Sequence, residues 1–340
     1  MTETEKEIRV LIAANFDEET LEKFRAVSPL LSIHQQSRDI PDGILAEIEI
    51  LYSANGYYPP PEKVPNLRWL QLNSAGAENV LRQPVGQQDH VEVTSASGIH
   101  ATQMAEYSMM MMLAFSQNLL RMLEHQSQSL WVHESWRHYV PWPLRDRTLG
   151  IVGYGSIGRE IARLAAAFGM KVLACKRDVM KPVLSGRFGE EGLGDPEGVI
   201  PERIYPAEAI ADMVVDCDYV VAAMPLSEHN QAFIGEAVFS AMKPDAHFIN
   251  VGRGAVVDEA ALFHALQAKQ IAGAALDVFA QEPLPKDSPF WQLDNVIITP
   301  HVSGNSQLYQ EKAALIFEEN LRRYVNKLPL LNRVSKTQGY

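Results

Sequence analysis

Short apolar runs, each followed by a stretch with apolar positions three and four apart, recur along most of the chain. Ile8 to Ala13 reads as a buried parallel strand and Thr20 to Ala26 as a short helix behind it. Ile50 to Tyr52 and Leu67 to Leu72 give two more strand-like runs, separated by the turn-forming Pro59, Pro60, Pro61 and Pro65. From His100 to about Gln126 the pattern becomes one long helix, with Met104, Tyr107, Met111, Ala114 and Phe115 at helical spacing. The run Met109 to Met112 makes that helix apolar on most sides, as for core or a subunit interface rather than a promiscuous binding face.

A second alternation opens at Thr148 to Val152. Its further strands are Lys171 to Ala174, Tyr219 to Ala223, His247 to Val251, Ala272 to Asp277 and Val296 to Thr299. Helices fit between them near Ile157 to Phe168, Ala207 to Met213, Gly235 to Ala241 and Glu259 to Lys269. The aromatic segment Trp131 to Trp142 and the Gly- and Pro-rich Val179 to Pro206 lack periodicity and read as loops, the second an extended loop on the second domain. Glu311 to Asn326 is a last amphipathic helix, expected to return to the first domain and make it discontinuous. The fold class this predicts is α/β, with two doubly wound parallel-sheet, Rossmann-like domains and the active-site cleft between them. The substrate-binding domain is expected at 1–99 plus 305–340, the dinucleotide-binding domain at 100–304.

Length fits that division, because 340 residues exceed what one core usually organises. A net charge of -12 argues against nucleic acid and anionic membranes as partners. The most apolar stretch, Met109 to Phe115, is too short to cross a bilayer, and Met1 to Glu7 is polar and acidic, unlike a secretory signal. A cytoplasmic location is therefore expected. Cys175 and Cys217 lack disulfide or zinc-ligand spacing, so they read as buried small hydrophobes and no metal site is expected.

Chemistry enters at Gly153, Tyr154, Gly155, Ser156, Ile157 and Gly158, a GxGxxG placed after an apolar strand and before a helix pattern. The first glycine permits a tight turn, the second lets a pyrophosphate approach the backbone, and the third lets helix and strand pack closely. An NAD-preferring site places an acid at the end of the next strand to bind the ribose hydroxyls. Here Lys176 and Arg177 stand there and Asp178 comes two residues late, which favours a 2′-phosphate and hence NADP(H), with NAD(H) possible. The competing reading is of two solvated charges, with Asp178 still reaching the ribose.

Three later segments put functional side chains after apolar runs: Asn250 to Gly254, Asp277 to Pro285 and Thr299 to Gly304. Open α/β sheets hold their ligands outside such strand ends. Together with GYGSIG, these segments resemble the D-isomer-specific 2-hydroxyacid dehydrogenase family, in its glyoxylate/hydroxypyruvate reductase-like branch, over nearly the whole chain. The resemblance implies hydride transfer between NAD(P)H and a small 2-keto or 2-hydroxy acid. It makes Arg253 the substrate-binding arginine, Glu282 its acidic companion and His301 the acid/base. It also sets Asp277 near the nicotinamide and Met224 and Pro225 on the adenosine side, with Val251, Gly252 and Gly304 lining the cofactor site. Ser74, Ala75 and Gly76, in an Asn-Ser-Ala-Gly turn, look like the family's substrate-carboxylate loop. A homodimer is implied as well.

Those roles suit the residue types. Reducing a keto acid needs a proton source at the carbonyl oxygen and a cation for the carboxylate. Histidine ionises near neutrality, and an adjacent carboxylate favours its donating form. Arginine offers a planar fork that grips a carboxylate with two parallel bonds and can polarise the keto oxygen. Tyr107 departs from the family's Ala-Glu-His sequence. Tyr52 and Ser53 are candidates for touching the substrate's variable group, and Trp136, His138 and Tyr139 for closing over it from a partner subunit. A formate dehydrogenase-like enzyme is the rival reaction, against which Glu282 speaks, since that site pairs its histidine with glutamine. A nucleotide-sensing corepressor-like binding protein is the rival outside enzymes.

Overall fold

The structure, a computed structural model, describes residues 6–227 and 229–337, with all their side chains but those of Ser135 and Trp136. The readings placed on the first five residues and on the Trp136 side chain fall outside it. The chain divides into two compact units. Unit 1 holds the residues through His100, Ser185–Phe188 and those from Ser306 on; unit 2 holds Ala101–Leu184 and Gly189–Asn305.

In unit 1 five parallel strands, β1 (Ile8–Ala13), β2 (Leu31–Gln35), β3 (Ile50–Ser53), β4 (Trp69–Leu72) and β5 (Glu92–Thr94), lie in the order β2-β1-β3-β4-β5. β3 and β4 are buried along their whole length, which is why they read as mainly apolar runs. β2 and β5 form the edges and were not expected. β2 buries alternate residues only, and β5 has three residues.

The C-terminal helix Tyr309–Val325 packs on this sheet, where Phe317 meets Phe24 and Tyr52 edge-to-face at 5.1 and 4.9 Å between centroids. The expected loop Val179 to Pro206 does not stay with unit 2 throughout. At Ser185–Phe188 it joins unit 1, where the Gly186 carbonyl accepts from the Asn332 N–H at 2.9 Å and the Phe188 N–H donates to Asn332 Oδ1 at 2.9 Å.

Unit 2 is a seven-stranded parallel sheet: β6 (Thr148–Val152), β7 (Lys171–Cys175), β8 (Arg203–Tyr205), β9 (Tyr219–Ala222), β10 (His247–Asn250), β11 (Gly273–Leu276) and β12 (Val296–Ile298). The order β8-β7-β6-β9-β10-β11-β12 reverses direction between β6 and β9. That switch point opens a crevice at the carboxyl ends of the two strands. β8 lies within the stretch read as a loop, because three residues carry too little periodicity to be seen.

The expected long helix is two, Ala101–Ser116 and Leu119–Ser127. They part at Asn118, which takes the left-handed conformation (φ 57°) that asparagine tolerates better than most residues. Ser116 is pinned there, its hydroxyl donating to the Trp142 carbonyl at 2.8 Å and its own carbonyl accepting from the Trp142 N–H at 3.2 Å. The Trp131 to Trp142 segment is a loop apart from one helical turn, Ser135–His138.

Candidate functional site

The crevice of unit 2 is bounded by the glycine turn after β6 and by Ala223–Met224–Pro225 after β9. Gly153 has φ +104°, and a Cβ there would stand 2.8 Å from the Ala223 carbonyl oxygen. A Cβ on Gly158 would lie 2.2 Å from the Gly153 carbonyl oxygen, so helix and strand approach only because it is glycine. Gly155 differs: it is exposed, and nothing lies within 4 Å of where its Cβ would be. Space above the second glycine, at the N-terminus of the helix Ser156–Ala167, is what a pyrophosphate requires, and the turn fits a dinucleotide.

Tyr154 turns its ring away from that space. It is buried, and its hydroxyl donates to Asp195 Oδ2 at 2.5 Å, leaving only its backbone for a cofactor. The buried Arg159 stacks over the same ring at 4.7 Å and donates to the carbonyls of Asp195 and Pro182. Asp195 also accepts from the Val199 and Ile200 N–H groups at 3.0 Å each. Burial disfavours its charge, but these hydrogen bonds and Arg159 outweigh it and hold its pKa below the usual carboxylate value. The motif's tyrosine and the arginine of the following helix thus anchor the Gly/Pro-rich segment. Low periodicity gave the sequence no sign of this.

At the end of β7, Lys176 is partly buried and donates to the Lys181 carbonyl, while Arg177 is exposed. Asp178 faces Lys181 Nζ at 3.1 Å and accepts from the Met180 N–H at 3.1 Å. Its carboxylate is engaged in its own turn.

Arg253, Glu282 and His301 follow β10, β11 and β12 in turn, so parallel topology sets all three at one end of neighbouring strands. His301 Nδ1 lies 2.7 Å from Glu282 Oε2, and Glu282 Oε1 accepts from the Phe279 N–H at 3.0 Å. Both side chains remain accessible, at 50% and 36%. With Nδ1 taken, Nε2 is the ring atom left to exchange a proton.

Arg253 is partly buried and its Nη1 donates to the Gly252 carbonyl at 3.0 Å. Its flanking glycines let neighbouring backbone approach closely. A Cβ on Gly252 would stand 2.6 Å from the Met224 carbonyl oxygen, and one on Gly254 1.8 Å from the Phe279 carbonyl carbon. Val251 is buried beneath them.

Asp277 is buried, with Oδ1 accepting from Thr299 Oγ1 (2.6 Å) and the Val302 N–H (2.9 Å), and Oδ2 from the Ser303 N–H (2.9 Å). These bonds fasten the backbone just before Gly304.

In unit 1 the Asn73 to Gly76 turn follows β4. Tyr309 donates its hydroxyl to the Asn73 carbonyl at 2.6 Å and Tyr52 donates to Asn73 Oδ1, while Ser74 Oγ donates to the Gly76 carbonyl at 2.8 Å. The N–H groups of Ala75 and Gly76 have no partner among the described residues, which suits them to an anion. Tyr52 is fully buried and the Ser53 hydroxyl donates to the Tyr57 carbonyl, so neither side chain is offered to a substrate. Tyr139 meets His125 Nδ1 through its hydroxyl, and the His138 carbonyl accepts from Arg121 at 3.4 Å.

A family model described as D-isomer specific 2-hydroxyacid dehydrogenase, NAD binding domain, matches residues 109–303. The chain belongs to this family. Among curated relatives it is 30% identical to a glyoxylate reductase of Korarchaeum cryptofilum, over 76% of this chain and 74% of that protein. It is 31% identical to a glyoxylate/hydroxypyruvate reductase B of Klebsiella pneumoniae, over 76% of each. Among solved structures, a D-isomer specific 2-hydroxyacid dehydrogenase of Xanthobacter autotrophicus Py2, in complex with NADPH and MES, superposes with a TM-score of 0.77 at 26% identity, covering 98% of this chain and all of that one. An NADPH-dependent glyoxylate/hydroxypyruvate reductase of Sinorhizobium meliloti, in complex with NADP and sulfate, gives 0.74 at 26%, with 98% and 100% covered. As a member of this 2-hydroxyacid dehydrogenase family, the protein is an NAD(P)-dependent oxidoreductase that transfers a hydride between the nicotinamide and a 2-keto acid.

Proposed function

We propose that this dehydrogenase works chiefly as a reductase of small 2-keto acids to D-2-hydroxy acids, with NADPH as preferred cofactor and glyoxylate or hydroxypyruvate as the first substrates to try. The observation that carries the reading is the 2.7 Å contact of Glu282 with His301 Nδ1 at the strand end next to Arg253. Bound NADPH would supply the hydride. Glu282 holds the ring so that Nε2 carries the proton given to the carbonyl oxygen as the alcohol forms. Arg253 grips the substrate carboxylate and stabilises charge growing on that oxygen. The Ser74, Ala75 and Gly76 turn of unit 1, by its N–H groups, is assigned to substrate binding as an anion-holding loop. Val251, Gly252, Met224, Pro225 and Gly304 are assigned to the walls of the cofactor site, and the GYGSIG backbone to its pyrophosphate.

The preference for NADPH is supported by Asp178. Its carboxylate is turned to Lys181 and the Met180 N–H, which leaves the cations Lys176 and Arg177 at the end of β7. The Xanthobacter and Sinorhizobium structures were solved with NADPH or NADP. We further infer a homodimer. Met110, Leu119, Met122 and Leu123 are each 39% or more exposed beside a groove of about 550 Å³ that Leu113, Leu164 and Phe168 line. A second copy of the chain would cover these apolar side chains. Light scattering tests this, and a monomeric mass at micromolar concentration ends it. No helix among the described residues is long and apolar enough to cross a membrane. We assign the protein to the cytoplasm, in keeping with two buried, free cysteines.

The deciding experiment offers a panel of 2-keto acids with NADPH and with NADH and follows absorbance of the reduced nicotinamide. Turnover with NADPH above NADH is expected. Tight NADPH binding with no turnover on any keto acid would replace this reading by that of a nucleotide-sensing binding protein.

A further inference from the structure

Tyr107 stands where the family often has histidine, and its hydroxyl reaches into the loop that bears His301. Tyr107 Oη lies 2.7 Å from Thr299 Oγ1, and Thr299 Oγ1 lies 2.6 Å from Asp277 Oδ1. A carboxylate only accepts, so Thr299 must donate to Asp277 and Tyr107 must donate to Thr299. The direction of the chain is therefore fixed.

At its far end Asp277 holds the backbone at His301 and at the two residues that follow it. Its carbonyl accepts from the His301 N–H at 2.9 Å and its carboxylate from the next two N–H groups, those of Val302 and Ser303. His301 itself is left-handed, with φ 55°, a conformation uncommon for a residue with a Cβ. Asp277 is buried and its charge has no ion pair among the described residues, so each donor it accepts matters. Tyr107 is buried too, and burial raises its pKa to about 12, so its proton stays in place.

We propose that Tyr107 is a positioning residue for the acid/base step, setting the orientation of the His301 ring through Thr299 and Asp277. This rests on the reading of His301 as the proton donor. The tyrosine touches neither substrate nor reacting atoms. Its donated hydrogen bond fixes the Thr299 hydroxyl in the position from which it donates to Asp277, and Asp277 in turn holds the His301 backbone with the ring against Glu282.

Tyr107→Phe removes the hydroxyl and keeps the ring. Expected is a fall in kcat of about five- to twentyfold for keto-acid reduction, because small misplacement of an acid is costly, with KM for the keto acid and NADPH affinity within about twofold. Thr299→Val reproduces that loss, Thr299→Ser does not, and Tyr107→Phe adds nothing on top of Thr299→Val. In the protein without cofactor, hydrogen exchange at the Val302 and Ser303 amides speeds up in Tyr107→Phe at an unchanged melting temperature. Wild-type kcat and unchanged exchange in Tyr107→Phe would overturn the proposal, as would losses that add fully in the double variant. If wild-type protein reduces no keto acid, the proposed function fails instead, and amide exchange still decides whether Tyr107 holds this loop.

Discussion

Glu282 and His301 meet side chain to side chain, Oε2 to Nδ1, at 2.7 Å across nineteen residues of chain. The carboxylate is itself held, since its other oxygen accepts from the Phe279 N–H at 3.0 Å. Glu282 therefore acts as a fixed bracket for the ring. Replacing it by glutamine keeps an acceptor in place and removes the charge. The expected result is a drop in kcat of about tenfold or more, smaller than the ~10² to 10⁴-fold loss expected for His301→Ala. NADPH affinity, read from nicotinamide fluorescence, stays near wild type in both. A Glu282→Gln enzyme with unaltered kcat would remove the carboxylate from the mechanism.

Arg253→Lys separates a planar fork from a point charge. Lysine preserves the charge and loses the two parallel bonds, so KM for the keto acid is expected to rise about tenfold and kcat to fall. Steady-state kinetics against the best substrate of the panel decide it. If KM stays where it was, the substrate carboxylate is bound elsewhere.

Six of the seven strands of unit 2 were legible in sequence, because short parallel strands buried along most of their length in the middle of a sheet are mainly apolar runs. Asn250 to Gly254 is the clearest case, where the end of the strand, the turn and Arg253 stand in one stretch. Three of the four edge strands were not legible. Leu31–Gln35 buries one face only and interposes Ser32 and His34, while Glu92–Thr94 and Arg203–Tyr205 have three residues each. The break at Asn118 escaped because apolar spacing continues through it, and only backbone conformation ends the helix. Long-range polar pairing escaped for another reason. Tyr154 with Asp195, or Tyr107 with Thr299, joins residues whose separation in sequence carries no period. Asp277 is a like case: the hydrogen bonds of its carboxylate to the Thr299 hydroxyl and to the Val302 and Ser303 N–H groups have no counterpart in the sequence pattern.

Two glycines of one motif should fail in opposite ways. Gly155→Ala adds a methyl group to open space above the turn, so the melting temperature should hardly move while NADPH affinity falls at least tenfold. Gly158→Ala drives a methyl group to within 2.2 Å of the Gly153 carbonyl oxygen, so stability should fall by about 1–3 kcal/mol. Calorimetry and fluorescence titration on both variants read the two effects. Equal loss of affinity and stability in Gly155→Ala would mean that no phosphate passes over this turn.

The cations after β7 give a prediction with a sign. Lys176→Asp with Arg177→Ala replaces two positive groups by one carboxylate at the position where ribose hydroxyls are bound in NAD-preferring sites. The ratio of kcat/KM for NADPH over NADH should fall by about 100-fold or more. Lys176 also donates to the Lys181 carbonyl, so Arg177→Ala alone serves as the gentler variant and should shift the ratio about tenfold in the same direction. An NADPH preference that survives both changes locates discrimination away from this strand end.

His247 links acidity to the stability of unit 2. Its ring stacks on Phe115 at 4.3 Å and Tyr219 at 5.6 Å, and burial pushes its pKa down to about 4 despite the opposing pull of Asp245. In the unfolded chain the same ring titrates near its ordinary value of 6.5. Between those two values the unfolded state binds a proton that the folded state refuses. Stability from this group is therefore complete above pH 6.5, lost as pH falls towards 4, and flat below that. The loss between pH 7 and 4.5 is about 2–3 kcal/mol by linkage. His247→Phe keeps a ring between Phe115 and Tyr219 and removes the titration, so its unfolding midpoint in urea should depend less on pH over this window by that amount. Parallel pH profiles for wild type and variant would show that the ring takes up its proton as readily in the folded protein as in the unfolded chain.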